Sequence, residues 1–209
     1  MQRQDAVMNA IRVLAHTQMV DPEFLRQCME KVKTAGLPMD QLEQDEAEFS
    51  AMLRHVYGCA SVLEIGSRYG KSIERMSRVM ARNSRIVAVD MPYFGDAEPA
   101  RILAETMDAI AKDGHDTHLI VGDSHAPDVV EAVRKLGPFD FCFIDGDHSY
   151  VGVKEDWKNY GPMAKVVAFH DILNTTGCFR LWNEIKAEHQ VVEYTSSGWL
   201  GIGVVDARR

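Results

Sequence analysis

The stretch SVLEIGSRYGKS, Ser61 to Ser72, decides the architecture. Val62, Leu63 and Ile65 form a short apolar run that reads as a buried strand. Gly66 to Gly70 read as a tight turn, and a helix starts after it. Glu64 lies inside the apolar run, where a carboxylate is costly unless it is paired or hydrogen-bonded. A strand–glycine–helix junction presents backbone N–H groups to a ligand, and its glycines let that ligand come close. A second apolar run, IVAVD, ends at Asp90, and a carboxylate at the tip of a second strand can hold the two hydroxyls of a ribose. The turn and Asp90 together point to a nucleotide-like cofactor.

Outward from this stretch the chain alternates. Strands are predicted at 61–66, 85–91, 117–122, 139–145, 165–170, 190–195 and 199–206, and helices at 70–82, 98–112, 126–136, 149–161 and 178–188. Runs such as FDFCFID are apolar on both faces, as in a parallel sheet covered by helices on both sides. Only Ser196, Ser197 and Gly198 separate the last two strands, too few for a parallel crossover, so these strands form an antiparallel hairpin. The expected fold is α/β: a Rossmann-like open sheet of seven strands, mostly parallel, with ligands at the carboxyl ends of its strands.

Residues 1–57 read as a helical cap or lid, and 58–209 as the main domain. Val7, Ala10, Ile11 and Leu14 make one apolar stripe. Asp21 and Pro22 start a second helix that Gly36 and Pro38 end. Asp40 with Glu43 resembles a capping box for a third helix, through Leu42, Phe49, Leu53 and Val56.

The bulk numbers exclude several classes. The 23 basic and 31 acidic residues give a net charge of -8 with no basic run, which argues against duplex nucleic acid. No apolar run approaches a membrane span, and the start, MQRQDAVMNAIR, has no signal-peptide core, so a cytoplasmic protein is expected. Cys28, Cys59, Cys142 and Cys178 match no zinc spacing and read as reduced packing residues.

An open parallel sheet ending in an antiparallel hairpin, with the spacing ExGxxxG (Glu64, Gly66, Gly70) after the first strand, resembles the class I S-adenosylmethionine-dependent methyltransferases. The stretches LEIGSRYGKS, VAVD, IVGDSH, FDFCFIDGDHSYVGVKEDWKNYGPM, VVAFHD, LWNEIK and WLGIGVV carry the resemblance over roughly residues 58–206. It is closest to the small-molecule O-methyltransferases and their relatives, which include sugar O-methyltransferases and cephalosporin hydroxylase-like proteins. Met163-Ala164-Lys165 departs from the family's Lys-Pro-Gly-Gly-like turn, at a place away from the cofactor.

The resemblance implies S-adenosylmethionine as cofactor and a small-molecule or sugar hydroxyl as acceptor. It implies that Glu64, Gly66, Ser67 and Gly70 line the amino acid part of the cofactor, and that Ser72 caps the helix or reaches the cofactor carboxylate. It gives Asp90 the ribose, Met91 a place against the adenine, and Asp123, with Ser124 beside it, the adenine amino group. Ser124 or His125 alternatively caps the following helix. Asp145 ends strand four beside the cofactor; in catechol- and caffeoyl-type enzymes this aspartate is a metal ligand, and a lysine at the position of His148 is the general base. Histidine can take a proton near neutrality without a strong shift, so His148 is the candidate base. Asp145, His170 and Asp171 are the candidate ligands of a divalent metal, magnesium or manganese. The histidine favours manganese, iron or zinc over magnesium. Without a metal, His170 reads as a second base or as a residue oriented by Asp171. Tyr93, Phe94 and Trp199 are candidate walls of the acceptor pocket, while Trp157, Tyr160, Trp182 and Ile185 read as core. A nicotinamide-dependent oxidoreductase, a cofactor-binding protein without catalysis and the hydroxylase-like branch stay open as alternatives, and so does a homodimer.

Overall fold

Alternation within each strand of the central sheet sends side chains to two buried faces. On one face Leu63, Ile65, Val87, Val89, Cys142, Ile144, Val167 and Phe169 join one apolar cluster. On the other Val62, Ile86, Ala88, Phe141, Phe143 and Ala168 join a second. Fully burying such a side chain stabilises by roughly 1.5–3 kcal/mol, so both faces demand a helical cover.

The computed structural model describes residues 45–91, 98–173, 176–196 and 198–207. They belong to one compact unit, Leu42–Arg209. The strands are β1 (Ser61–Ile65), β2 (Arg85–Asp90), β3 (Asp116–Val121), β4 (Phe139–Ile144), β5 (Ala164–His170), β6 (Val191–Tyr194) and β7 (Ile202–Asp206). Their order in the sheet is β3-β2-β1-β4-β5-β7-β6. β1 to β5 pair parallel, and β7 lies antiparallel between β5 and β6, as the short connection required. The order reverses between β1 and β4, so the carboxyl ends of those two strands open the crevice where such sheets bind ligands.

The helices are α1 (Glu46–Met52), α2 (Lys71–Ser77), α3 (Glu98–Lys112), α4 (Pro127–Leu136), α5 (Tyr150–Tyr160) and α6 (Thr176–Glu188). Residues of α4, α5 and α6 complete the first cluster, through Val129, Val133, Val153, Leu181 and Trp182. Residues of α1, α2 and α3 complete the second, through Phe49, Met52, Ile73, Met76, Leu103 and Met107. Asp45 caps α1 by accepting from the amides of Ala47 (3.0 Å) and Glu48 (3.1 Å). The expected box at Asp40 and Glu43 and the two helices before it lie outside the described residues, as do Tyr93 and Phe94. Among the described residues no helix is long and apolar enough to cross a membrane.

Two boundaries differ from expectation by three residues or more, both for tertiary reasons. α2 ends at Ser77, not 82. The Ser77 hydroxyl donates to the Glu74 carbonyl at 2.7 Å, and the following residues bond instead to the entry of β1, Gly58 N to Val79 O and Ala81 N to Cys59 O. β7 starts at Ile202, not 199. The Leu200 and Gly201 carbonyls accept from the amides of Leu173 (3.0 Å) and Ile172 (3.4 Å), so this stretch serves the loop after β5 before it enters the sheet.

Candidate active site at the carboxyl edge of the sheet

The turn after β1 is held by its glycines. Gly66 has φ 85, and a Cβ there would lie 2.6 Å from Gly146 Cα, so the backbones leaving β1 and β4 touch. Gly70, φ 77, is the N-cap of α2, and its N–H donates to Ser67 O at 2.7 Å. Between them Arg68, also left-handed with φ 46, turns its N–H to the Asp90 carboxylate. The other Asp90 oxygen accepts from Met91 N at 2.6 Å. Burial raises the Asp90 pKa, against the pull of these backbone donors. Asp90 thus ties the tip of β2 to the glycine turn. Met91 beside it is 55% exposed, enough area for a planar ring to lie on.

Glu64 is fully buried under this turn. Ser72 donates to its Oε1, so Ser72 serves the carboxyl group below the turn and not the helix cap, which is Gly70. Burial pushes Glu64 up to about 8, against that hydrogen bond. The Ser67 hydroxyl lies near enough to pull the Glu64 pKa down, but neither it nor Glu64 Oε2 has a partner at full hydrogen-bond geometry. Buried polar groups are rarely left so, and a ligand with polar groups bound at the turn would complete them.

After β3, Asp123 accepts from His125 N at 2.9 Å, and its side chain is 58% exposed at the edge of the site. Ser124 faces inward: its hydroxyl donates to Asp156 on α5 at 2.8 Å. The N-cap of α4 is Ala126, without a side-chain cap, so neither Ser124 nor His125 plays that part.

The end of β4 meets the end of β5 in a buried cluster of two acids and two imidazoles. Asp145 Oδ1 lies 3.1 Å from His148 Nε2 and 3.0 Å from His170 Nδ1. His148 Nδ1 lies 3.1 Å from Asp171 Oδ2. Asp171 reaches this position through a left-handed backbone, φ 59. Burial alone would raise the Asp145 pKa, but the charge of His170 and the hydrogen bond from His148 hold it well below the usual range. Burial alone would lower both histidines; the carboxylates reverse this, raising His148 and pushing His170 up to about 9. Both ring nitrogens of His148 face carboxylate oxygens, the arrangement that favours a doubly protonated ring.

Asp145, His148 and Asp171 each offer a ligand atom within 4.8 Å of the others. Two carboxylates and an imidazole suit manganese, iron or zinc better than magnesium. His148 therefore stands in the donor set where the sequence pointed to His170. His170 instead bonds Asp145 through Nδ1 and packs its ring edge-on to Phe143, centroids 6.4 Å apart.

Three residues at the site carried no expectation. Glu48 of α1, 1% exposed, accepts from Gly201 N at 3.1 Å and adds negative charge toward His170. Asp156 is wholly buried between the loops after β3 and β4. Gly177 seats α6 on the active loop: a Cβ there would lie 2.5 Å from Tyr150 N. Glu48 and Asp156 share a signal visible in the sequence, a carboxylate on an otherwise apolar helix face, with Phe49, Met52 and Val56 in one case and Val153 and Tyr160 in the other. Trp199, 43% exposed, stands beside the Leu173–Leu200 bridge.

The chain has known relatives in sequence and in fold. In sequence the chain is similar to a catechol O-methyltransferase from Niastella koreensis, 24% identical over 115 residues, which are 54% of this chain and 49% of that protein. The chain thus spans about half the length of that relative. In structure it is similar to the O-methyltransferase from Bacillus cereus in complex with SAH, with TM-score 0.57, 18% identity, and 90% of this chain and 92% of that chain covered. It is also similar to the O-methyltransferase TomG from Streptomyces achromogenes, involved in tomaymycin synthesis and in complex with SAM, with TM-score 0.61, 14% identity and 99% of both chains covered. At these identities the likeness to solved structures shows the fold. A family model described as a methyltransferase domain matches residues 63–172, from β1 to the residue after Asp171 and more than half of the chain, and by that match the chain belongs to the methyltransferase domain family.

Proposed function

We propose that the protein transfers a methyl group from S-adenosylmethionine to a hydroxyl oxygen of a small molecule or sugar. The observation that carries this reading is the contact of two unlike parts. The glycine turn, with its uncompleted Glu64 and Ser67, abuts at Gly66 the loop after β4, which carries Asp145 and His148 of the Asp145–His148–Asp171 cluster. A donor held on the turn and a hydroxyl held on the cluster would be neighbours, and methyl transfer asks for little more than such positioning.

The cofactor, when bound, would supply a methyl carbon on a sulfonium, which forms a bond to the acceptor oxygen as its bond to sulfur breaks and the thioether leaves. Asp90 is the ribose ligand, Asp123 and Met91 meet the purine, and Glu64 and Ser67 take the amino acid end. The acceptor proton goes to the neutral form of His148, and Asp145 and Asp171 stabilise the imidazolium that results. Such general-base help is worth about a hundred- to ten-thousand-fold. A divalent cation at Asp145 and Asp171 would supply Lewis acidity to the same hydroxyl. His170 stays the partner of Asp145.

The test begins with calorimetric titration of the full chain with S-adenosylhomocysteine, with and without manganese. Binding that Asp90→Ala weakens at least tenfold supports the cofactor reading, whereas no binding in either condition overturns it. A catechol, the acceptor in the name of the Niastella relative, is the first substrate to try. With any acceptor that turns over, His148→Ala should cut kcat by about a hundredfold or more while leaving the homocysteine ligand bound as before. Intact turnover in that variant removes His148 from the mechanism.

A further inference from the structure

Asp156 is the most deeply buried carboxyl group outside the machinery just described, and its neighbours belong to two loops of the site. Its Oδ1 accepts from the Ser124 hydroxyl at 2.8 Å and lies 3.2 Å from His125 Nε2. The same Nε2 lies 3.2 Å from the Gly152 carbonyl, which can only accept, so this nitrogen carries the proton. One turn further along α5, the Tyr160 hydroxyl donates to the Ser124 carbonyl at 2.5 Å. The second Asp156 oxygen, Oδ2, has no hydrogen-bond partner and faces the loop after β4, where a Cβ on Gly146 would lie 3.5 Å from it. The buried face of α5 therefore grips Ser124 and His125 from below, by side chain and backbone together. Ser124 and His125 in turn fix Asp123, whose Oδ1 accepts from the His125 amide at 2.9 Å.

We propose that Asp156, seconded by Tyr160, is a positioning residue that sets Asp123 for the purine amino group and so makes the site selective for a 6-aminopurine cofactor. This rests on the reading of Asp123 as the adenine contact. The logic is one of donor and acceptor. A 6-amino group donates to a carboxylate held at the right place, whereas the 6-oxo group of hypoxanthine offers only an acceptor and meets an unpaired negative charge. A fully buried carboxylate with a serine hydroxyl and an imidazole on one oxygen holds its loop more rigidly than a solvated cap does, because each broken contact leaves a polar group buried and unmatched.

The experiment measures the affinities of the full-length protein for S-adenosylhomocysteine and S-inosylhomocysteine, which differ at the purine 6-position and in the proton that the 6-oxo form carries at N1, and uses their ratio as readout. The wild type should prefer the adenosyl ligand by about tenfold or more. Asp90→Ala should weaken both ligands alike and leave the ratio intact. Asp123→Ala should collapse the ratio toward one. Asp156→Asn keeps an acceptor for Ser124, loses the charge facing His125, and should retain part of the preference. Asp156→Leu and Ser124→Ala should lose most of it. The double variant Asp123→Ala with Ser124→Ala should be no worse in ratio than Asp123→Ala alone. If Asp156→Leu does not fold, Ser124→Ala and Tyr160→Phe, which each remove one hydroxyl, carry the test. A ratio unchanged in Asp123→Ala overturns the adenine reading and this inference with it. A ratio that collapses in Asp123→Ala but stays at the wild-type value in the Asp156, Ser124 and Tyr160 variants overturns this inference alone.

Discussion

The two halves of the site, the glycine turn after β1 and the cluster at the ends of β4 and β5, are about equally buried and electrostatically opposite. At the turn Glu64 has hydroxyl company but no cation, so desolvation wins and its pKa rises to about 8. At the cluster Asp145 has two imidazoles, so charge wins and its pKa falls. Burial alone therefore does not fix the protonation of a buried acid; the first neighbour that can carry charge decides. The functional consequence differs in the same way. On the proposed reading the turn would offer a buried acid to a cationic amino group, whereas the cluster sets two carboxylates against two imidazoles and would offer donor atoms to a divalent ion.

The most severe way to break this division is at Gly66, where the halves touch. Alanine there suffers the left-handed backbone, about 1–3 kcal/mol, and drives its Cβ into the Asp145–Gly146 backbone. Gly66→Ala should abolish measurable binding of S-adenosylhomocysteine and also lower catalysis, with a lower Tm in a thermal melt. A variant that loses one function and keeps the other would show that the halves are not braced through this contact.

Glu64 sharpens the comparison through pH. A folded-state pKa raised from 4.5 to about 8 means that the native protein holds a proton the unfolded chain has released, so stability falls as pH rises between those values. His170, raised from 6.5 to about 9, adds stability that is fully present below 6.5 and lost as pH climbs through 9. The wild type should thus weaken from pH 5 to pH 9, and below pH 6.5 the decline belongs to the acids that burial raises, Glu64 most, with Asp156, raised to about 6, and Asp90. Glu64→Gln should flatten that lower part and raise stability at pH 8 by roughly 1–3 kcal/mol in urea denaturation. An unchanged slope in the variant would mean that Glu64 is ionised in the native state. The cofactor's cationic amino group should favour the ionised form. Binding at pH 7 should therefore release protons, seen as a heat that changes between phosphate and Tris buffers, and Glu64→Gln should remove that difference.

Much of this was legible before the structure. The strands of the parallel core are apolar on both faces, and runs of that kind have few alternatives, so β1 to β5 fall within a residue of expectation at each end. Asp90, Asp123, Asp145 and Asp171 stand at or just beyond strand ends, which in an open sheet is enough to bring them to one edge. What stayed hidden depends on contacts distant in sequence. The early end of α2 follows from capture of its tail by residues 58 and 59, and the late start of β7 from the bridge to residues 172 and 173. The pairing of both His148 nitrogens needs the left-handed turn at Asp171, which no side-chain pattern announces. Asp156 and Glu48 showed as charges on apolar helix faces, but their partners, Ser124 and Gly201, are reached only through the fold.

Glu48 gives the mildest test of the division, because it touches the acceptor half alone. It accepts from Gly201 N, and Gly201 lies in the stretch that braces Ile172 and Leu173 just after Asp171. Glu48→Gln keeps an acceptor for that N–H and should change stability by less than about 1 kcal/mol. Glu48→Ala leaves the N–H buried without its acceptor, at a cost of about 1–3 kcal/mol. With the brace loosened, the acceptor KM should rise a few-fold and affinity for S-adenosylhomocysteine should not move. Glutamine should restore most of the KM, since the hydrogen bond is the part that places the loop. If the alanine variant instead loses cofactor affinity in step with the acceptor, the two halves are one mechanical unit, and their opposite electrostatics do not make them independent.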